Sequence, residues 1–325
     1  MRGLTALAAL AATLMSGSAM AADITLQLNW KAGGDHAPIY YALAQGWYQD
    51  AGVNLQVQQG NGSGASAQAL VTGQADIAII DTPTALQFLG EGAEMTGVFV
   101  AYNDNATGFY WKKDSGIEDI AGLAGHKIGA PATDAIRQFW PAIARAAGIE
   151  PDSVEWVNIQ PTAKVAALQS GAIDATQHMY SVHFVYEDVF GEDLGYQLVR
   201  DTGLNPYGLT YWASNASIAE QPEALKATIG VTQKAFAFCL ETPAPCAEAL
   251  SSAVSMRLED ATRELEYASA VMPGAGNTLP IGAWDPARVE ADYQMARESF
   301  GVGELDPATI VTNDFLDMSV HYPTN

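Results

Sequence analysis

Ile24-Thr-Leu-Gln-Leu-Asn-Trp30, Val53-Asn-Leu-Gln-Val57 and Asp76-Ile-Ala-Ile-Ile80 are short apolar runs separated by two stretches with helical spacing, Asp35 to Ala44 and Ala67 to Thr72. The first run alternates apolar and polar residues, as a strand does. Asp35-His-Ala-Pro38 opens a helix, Gly46 stands near its end, and Gly73 breaks the second helix before the third strand. A β-α-β-α-β order at this spacing predicts a parallel sheet covered by helices on both faces.

The same order returns with a strand at Lys127 to Ala130, a helix at Ala135 to Ala147, a strand at Val154 to Ile159, a helix at Ala163 to Gln169 and a strand at Ala172 to Thr176. Leu70, Gly73 and Asp76 share their spacing with Leu168, Gly171 and Asp174. In each set glycine ends a helix and aspartate begins the strand that follows. This repetition predicts two similar α/β lobes in place of one long sheet. Ligands of open parallel sheets lie beyond the carboxyl ends of the strands. That rule selects Trp30 to His36, Gly60 to Ser66 and Asp81 to Thr84 in the first lobe. In the second it selects Pro131 to Asp134, Gln160 to Thr162 and Gln177 to His183.

The N-terminus sets the compartment. Arg2 precedes an apolar run from Leu4 to Met15, and Ala19-Met20-Ala21 supplies a small-x-small cleavage pattern, so residues 1–21 read as a signal peptide. The run is shorter than the roughly 20 residues a spanning helix needs, and no cysteine at the cleavage site offers a lipid anchor. A free periplasmic protein of a double-membraned bacterium is expected, as a monomer. The formal net charge of −22 makes nucleic acid and anionic lipid improbable partners, since both are held by clustered Lys and Arg. The two cysteines, Cys239 and Cys246, are close in sequence with two prolines favouring a turn between them, which predicts a disulfide in that compartment.

Trp30, Tyr40 and Tyr180 offer flat apolar faces at the selected loops. Asp81, Thr82, Thr133, Asp134, His36 and His178 offer directional polar groups. Such a set suits a small, flat, polar molecule. Each has a plainer reading: Tyr40 shares a helical stripe with Ile39 and Leu43, Asp35 and Asp134 fit as helix N-caps, and either histidine can serve the loop it lies in. Gly60, Gly62 and Ala65 match the spaced-glycine dinucleotide pattern, but after the second strand instead of the first. The helix start there, with Ser63 and Ser66 as donors, offers an alternative dock for a sulfonate or other small organic anion. No zinc-protease, nucleophile-elbow or Walker motif is present, and no metal or cofactor is expected. A binding protein is expected, with a secreted enzyme as the rival class.

Asn29-Trp30 followed by Asp35-His-Ala-Pro-Ile-Tyr-Tyr-Ala42, Gly46-Trp-Tyr48 and Gly52-Val53 resembles the thiamine-biosynthesis-type (pyrimidine precursor) substrate-binding proteins of ABC importers, within the wider sulfonate, taurine and nitrate-binding group. Gln68 to Asp76 with Asp81, Gly116-Ile117, Leu123 to Gly129, Ser170 to Ala175 and Tyr207-Gly208 extend the resemblance over nearly the whole mature chain. The resemblance implies an α/β two-lobed type II periplasmic binding protein fold with two interlobe crossings. Residues 22–104 and 208–325 would form lobe 1 and residues 105–207 lobe 2, with Val98 to Tyr110 and Leu204 to Ser214 carrying the crossings. It implies a membrane permease as partner and a stacked heterocycle as ligand, with Trp30, Tyr180 and Tyr207 as the aromatics and a carboxylate pairing with its amino group. Where that carboxylate is expected the chain has Phe184, and the nearest acid is Glu187. The cysteine-rich motif of the yeast-type enzymes on this fold is lacking.

Overall fold

The computed structural model describes residues 21–132 and 134–323. The expected signal peptide, apart from its last residue, and the candidate Thr133 lie outside the described residues. Among the described residues ten strands are formed: β1 (Ala22–Gln27), β2 (Val53–Gln58), β3 (Ile77–Asp81), β4 (Met95–Val100), β5 (Thr107–Lys112), β6 (Lys127–Ala130), β7 (Glu155–Asn158), β8 (Ala175–Met179), β9 (Leu194–Leu198) and β10 (Leu209–Ser214). They make two five-stranded sheets of equivalent order, β2-β1-β3-β10-β4 and β7-β6-β8-β5-β9.

The sheets are mixed, which corrects the all-parallel expectation. In the first, β10 runs antiparallel to both β3 and β4; in the second, β5 runs antiparallel to β8 and β9. The physical reason is the crossing. A chain that leaves one sheet at its carboxyl edge and enters the other at the facing edge must run outward, against the strands already there. Each sheet therefore holds one reversed strand, the first after each crossing.

The echo seen in sequence is a structural equivalence. Gly73 and Gly171 both take the left-handed conformation, at φ 71° and 73°, where a side chain would be strained. Their amides donate to Leu70 and Leu168, and both leucines are buried. Asp76 then donates its amide to Thr25 O and accepts Thr25 N–H on its carboxylate at 2.8 Å; Asp174 does the same with Lys127, also at 2.8 Å. Each aspartate thus extends a parallel strand pair by one side-chain bond.

Alternation in the central strands serves two cores per sheet. Ile77 and Ile79 of β3 face one apolar cluster and Ala78 and Ile80 the other. On β5, Phe109 and Trp111 face one side while Tyr110 faces the opposite side. The crossings, 101–106 and 203–208, run together: Ala101 and Tyr102 donate to Leu209 O, and Gly208 donates back to Tyr102 O. The Asp104 carboxylate ties them, accepting from Arg200 at 3.1 Å, Asn205 at 2.8 Å and the Ala275 amide at 3.0 Å.

Two C-terminal helices touch both sheets' layers. Leu258–Val271 packs on the 34–36 turn of the first lobe and the 180–182 turn of the second. Pro286–Phe300 packs on Thr82–Gly90 and on Ala135–Ala146, where Phe300 meets Phe139. Cys239 and Cys246 are bonded, with Cα atoms 5.8 Å apart. The segment between them is no open turn: Pro243 starts the helix Pro243–Val254, and Thr242 alone separates it from Pro222–Glu241. Closing so short a loop constrains the unfolded chain modestly. Replacing both cysteines by serine is expected to cost about 2 kcal/mol in urea denaturation.

Candidate functional site

The carboxyl ends of β1, β2 and β3 are knitted into one rim. Gly60 donates to Trp30 O at 2.9 Å, Gly62 to Asn29 O at 2.7 Å, and the Ser66 hydroxyl to Leu28 O at 2.7 Å. Trp30 is left 37% exposed, its ring against Gly62. An indole held at a rim with one face open is a platform on which a flat ligand stacks. Ser66 is buried with its proton already given, and the Ser63 Oγ accepts the Asp81 amide at 3.0 Å. Ser66 is therefore corrected as an anion donor, since the strand rim uses it.

Several predicted polar residues hold the rim itself. Asp81 caps the helix Thr82–Gly90, both carboxylate oxygens taken by the amide and hydroxyl of Thr84 at 3.0 and 2.8 Å. Thr82 is buried beside Thr210 and Gly208. His36 is buried: the Gly33 amide donates to Nδ1 at 3.1 Å, so Nε2 donates to Asn29 Oδ1 at 2.9 Å. Gly33, not Asp35, stands at the cap of the 34–36 turn, which corrects that N-cap reading. Tyr40 is half-buried against the first core, and burial raises its hydroxyl pKa.

At the second rim Asp134 does cap the helix Ala135–Ala146, through Ile136 N–H at 3.2 Å. Its other oxygen accepts from Lys164 at 3.2 Å and Gln177 at 2.5 Å. Burial lowers the Lys164 pKa while Asp134 counters it. His178 lies beyond this pair and is pushed down to about 3, by burial first and by the Lys164 charge second, so it is neutral at physiological pH.

Tyr180 belongs to a cluster that sequence reading found only in part. Its ring lies 4.9 Å from His183 and 5.4 Å from Tyr267, and His183 lies 4.3 Å from the half-exposed Tyr196. Exposed Glu187 joins the lobes: it accepts from the Tyr267 hydroxyl and sits 3.3 Å from His183 Nε2. One residue on, Asp188 pairs with Arg263 at 2.6 Å, and that guanidinium lies over Phe184. Where the resemblance placed a carboxylate, an aromatic ring thus seats the arginine that ties the lobes.

One turn before Tyr267, Glu264 accepts the Gly34 amide at 2.8 Å. Burial raises its carboxyl to about 7, with Asp35 adding to the rise and the Gly34 bond opposing it. A Cβ on Gly34 would lie 2.2 Å from the Glu264 backbone, so only glycine lets this helix close down on the turn. Tyr207 goes elsewhere: it is buried against Trp284, its hydroxyl accepts the Asp285 amide, and Arg288 lies 4.1 Å above it. It is corrected from a ligand-stacking ring to a strut beside the crossing. Lys164, Gln177, His183, Tyr196, Glu264 and Tyr267 were missed; only Gln177 and His183, which stand in the selected loop 177–183, carried a signal.

Residues 34–245 match the model of the family described as NMT1/THI5 like. A 4-amino-5-hydroxymethyl-2-methylpyrimidine phosphate synthase of Legionella pneumophila is 24% identical over 74% of this chain and 76% of its own. One of that name from Aspergillus parasiticus is 29% identical, over 33% of this chain and 31% of its own. The alkanesulfonate-binding protein of Xanthomonas axonopodis pv. citri, solved with MOPS, superimposes with a TM-score of 0.69 at 13% identity, covering 90% of this chain and 98% of that one. The fold is that of the periplasmic binding proteins.

Proposed function

The chain belongs to the NMT1/THI5-like family, and from that premise we propose that it is the periplasmic solute-binding component of an ABC importer, delivering a small aromatic heterocycle of the aminopyrimidine class to a membrane permease. Residues 1–21 are its cleaved leader, residues 22–104 with 208–325 form one lobe and residues 105–207 the other. Ligand bridges the lobes, closure buries it, and the permease reads the closed form; binding energy shifts an open–closed equilibrium without breaking a bond.

The observation that carries this reading is the helix Leu258–Val271, which closes on both rims at once through Glu264 to Gly34 and Tyr267 to Glu187. An aromatic and acidic mouth that spans both lobes suits a flat ligand with amino donors. The test is thermal unfolding of the mature protein with 4-amino-5-hydroxymethyl-2-methylpyrimidine and, separately, with an alkanesulfonate. Ligand that binds only the folded state raises the midpoint with concentration. A shift with the pyrimidine supports the reading; a shift with the sulfonate alone overturns it.

Trp30→Ala is expected to weaken pyrimidine binding about 10- to 100-fold, as for loss of an aromatic anchor, with little change in melting because the ring is partly exposed. Unchanged affinity by calorimetric titration would remove Trp30 from the site. A second reading follows from the names of the relatives, which are synthases of a pyrimidine phosphate. Appearance of that phosphate in incubations of the purified protein, followed by mass spectrometry, would decide for an enzyme.

A further inference from the structure

Four polar side-chain atoms on the Tyr110 side of the second sheet are buried and have no hydrogen-bond partner among the described residues: the hydroxyls of Tyr110 and Tyr186 and the Nδ1 atoms of His178 and His183. They belong to one cluster. Tyr110 and Tyr186 stack with centroids 4.2 Å apart, His183 lies 5.6 Å from Tyr110, and His178 lies 6.2 Å from Tyr186. Buried polar atoms in a folded protein nearly always find partners, so four orphans in one place call for an occupant.

The cluster lies at the carboxyl end of β8, beside the first crossing. Gly108, the second residue of β5 after the crossing, pairs with His178, and Tyr110 pairs with Thr176. A Cβ on Gly108 would lie 3.2 Å from the Tyr110 hydroxyl and 3.0 Å from Leu198, so that hydroxyl packs closely on the glycine and a side chain there would displace it. Tyr180, the mouth residue, donates its amide to Ala106 O just before β5.

We propose that this cluster is an inner subsite of the ligand cleft, taking a neutral hydroxyl or amide substituent on the ligand's aromatic ring. The proposal rests on the aminopyrimidine reading above. His183 Nε2 lies 3.3 Å from the Glu187 carboxylate, which favours the proton on Nε2 and leaves the buried Nδ1 as a lone-pair acceptor. The two tyrosine hydroxyls are held protonated by burial, each able to donate and to accept. Neutral His178 adds no charge to the cluster. A charged substituent would enter without a counter-ion in contact, whereas a hydroxyl gives its proton to His183 and accepts one from a tyrosine.

The experiment compares calorimetric binding of 4-amino-5-hydroxymethyl-2-methylpyrimidine with that of 4-amino-2,5-dimethylpyrimidine, which has the same ring and a methyl in place of the hydroxymethyl. Wild-type protein is expected to prefer the hydroxymethyl compound by about tenfold or more, the loss that follows when site polar groups go unpaired. In Tyr186→Phe that preference should shrink toward one while affinity for the dimethyl compound and melting temperature hold. Gly108→Ala, which presses a methyl against the Tyr110 hydroxyl without removing a polar group, should lower the preference in the same way. Equal wild-type affinity for both compounds, or a preference untouched by both substitutions, overturns the subsite alone. Binding of neither compound by wild type overturns the aminopyrimidine reading, and the subsite falls with it.

Discussion

Asp104→Ala is expected to lower the free energy of unfolding by about 3–5 kcal/mol, the cost of breaking a buried ionic network by deleting one partner. Asp104 is buried at the junction of the two crossings and accepts from Arg200, Asn205 and the Ala275 amide. Its loss strands a partly buried guanidinium, an amide side chain and a backbone N–H together. Asn205 donates to Asp104 and accepts the Asn105 amide at 2.8 Å, so the two crossings would lose their mutual register as well. Urea denaturation followed by tryptophan fluorescence reads the effect. A loss under 1 kcal/mol would mean that the crossings are held by their backbone bonds alone. Asp104→Asn, which keeps an acceptor toward Asn205, should fall between.

The second large effect is a pH dependence that a single variant exposes. Burial raises Glu264 from 4.5 to about 7 in the fold. Between those values the folded state holds a proton that the unfolded chain releases, so this group's contribution falls as pH rises through the window. Asp292, raised by burial from 3.8 to about 7, acts in the same direction. His178 acts oppositely. Lowered from 6.5 to about 3, it makes the unfolded state the better proton binder, and stability is lost as pH falls below the unfolded value. His183, also lowered, adds to that side.

The two raised acids and the two lowered imidazoles act in opposite directions between about pH 4.5 and 6.5, so each masks part of the other's effect in the wild type. Glu264→Gln removes one of the two raised acids while keeping an acceptor for Gly34. From pH 4.5 to 7.5 the variant should gain about 3 kcal/mol relative to wild type. A pH-independent difference between the two proteins would show that Glu264 is ionised in the fold throughout. Asp35 and His36 are its other titratable neighbours on the 34–36 turn, and Asp260 lies on its own helix.

Sequence reading reached the fold because the fold's grammar is local. The strand at Lys127 to Ala130 was placed to the residue, and the helices after Ser63 and Asp134 differ from expectation by a turn or less at their ends. Direction was not legible in the same way. Nothing in Phe109 or Trp212 records that β5 and β10 run against their neighbours, because alternation reads identically from either end. The cysteine pair was legible from spacing and compartment, but the form of the segment between them was not.

The candidate site was legible in its loops and less so in its residues. Trp30 and Tyr180 stand in the loops that follow β1 and β8, Trp30 partly exposed and Tyr180 packed with His183 and Tyr267. Asp81, His36 and Tyr207 came from the same reasoning, yet the structure gives their polar atoms to Thr84, Gly33, Asn29 and Asp285. A polar side chain on a selected loop is equally able to bind a ligand or to brace the loop. Which it does depends on partners that can be hundreds of residues away.

By itself the sequence determined the order of strands and helices and the duplication marked by Gly73-Asp76 and Gly171-Asp174. These follow from spacing, and spacing is a property of the chain alone. Only the tertiary structure decided that a helix more than 200 residues beyond Gly34 closes on both rims, and that two tyrosine hydroxyls and the Nδ1 atoms of two imidazoles are buried in one cluster without partners among the described residues. The physical reason is that an amphipathic helix carries the same pattern whether it covers its own lobe or spans two, and that a buried polar atom becomes informative only when everything able to satisfy it has been put in place.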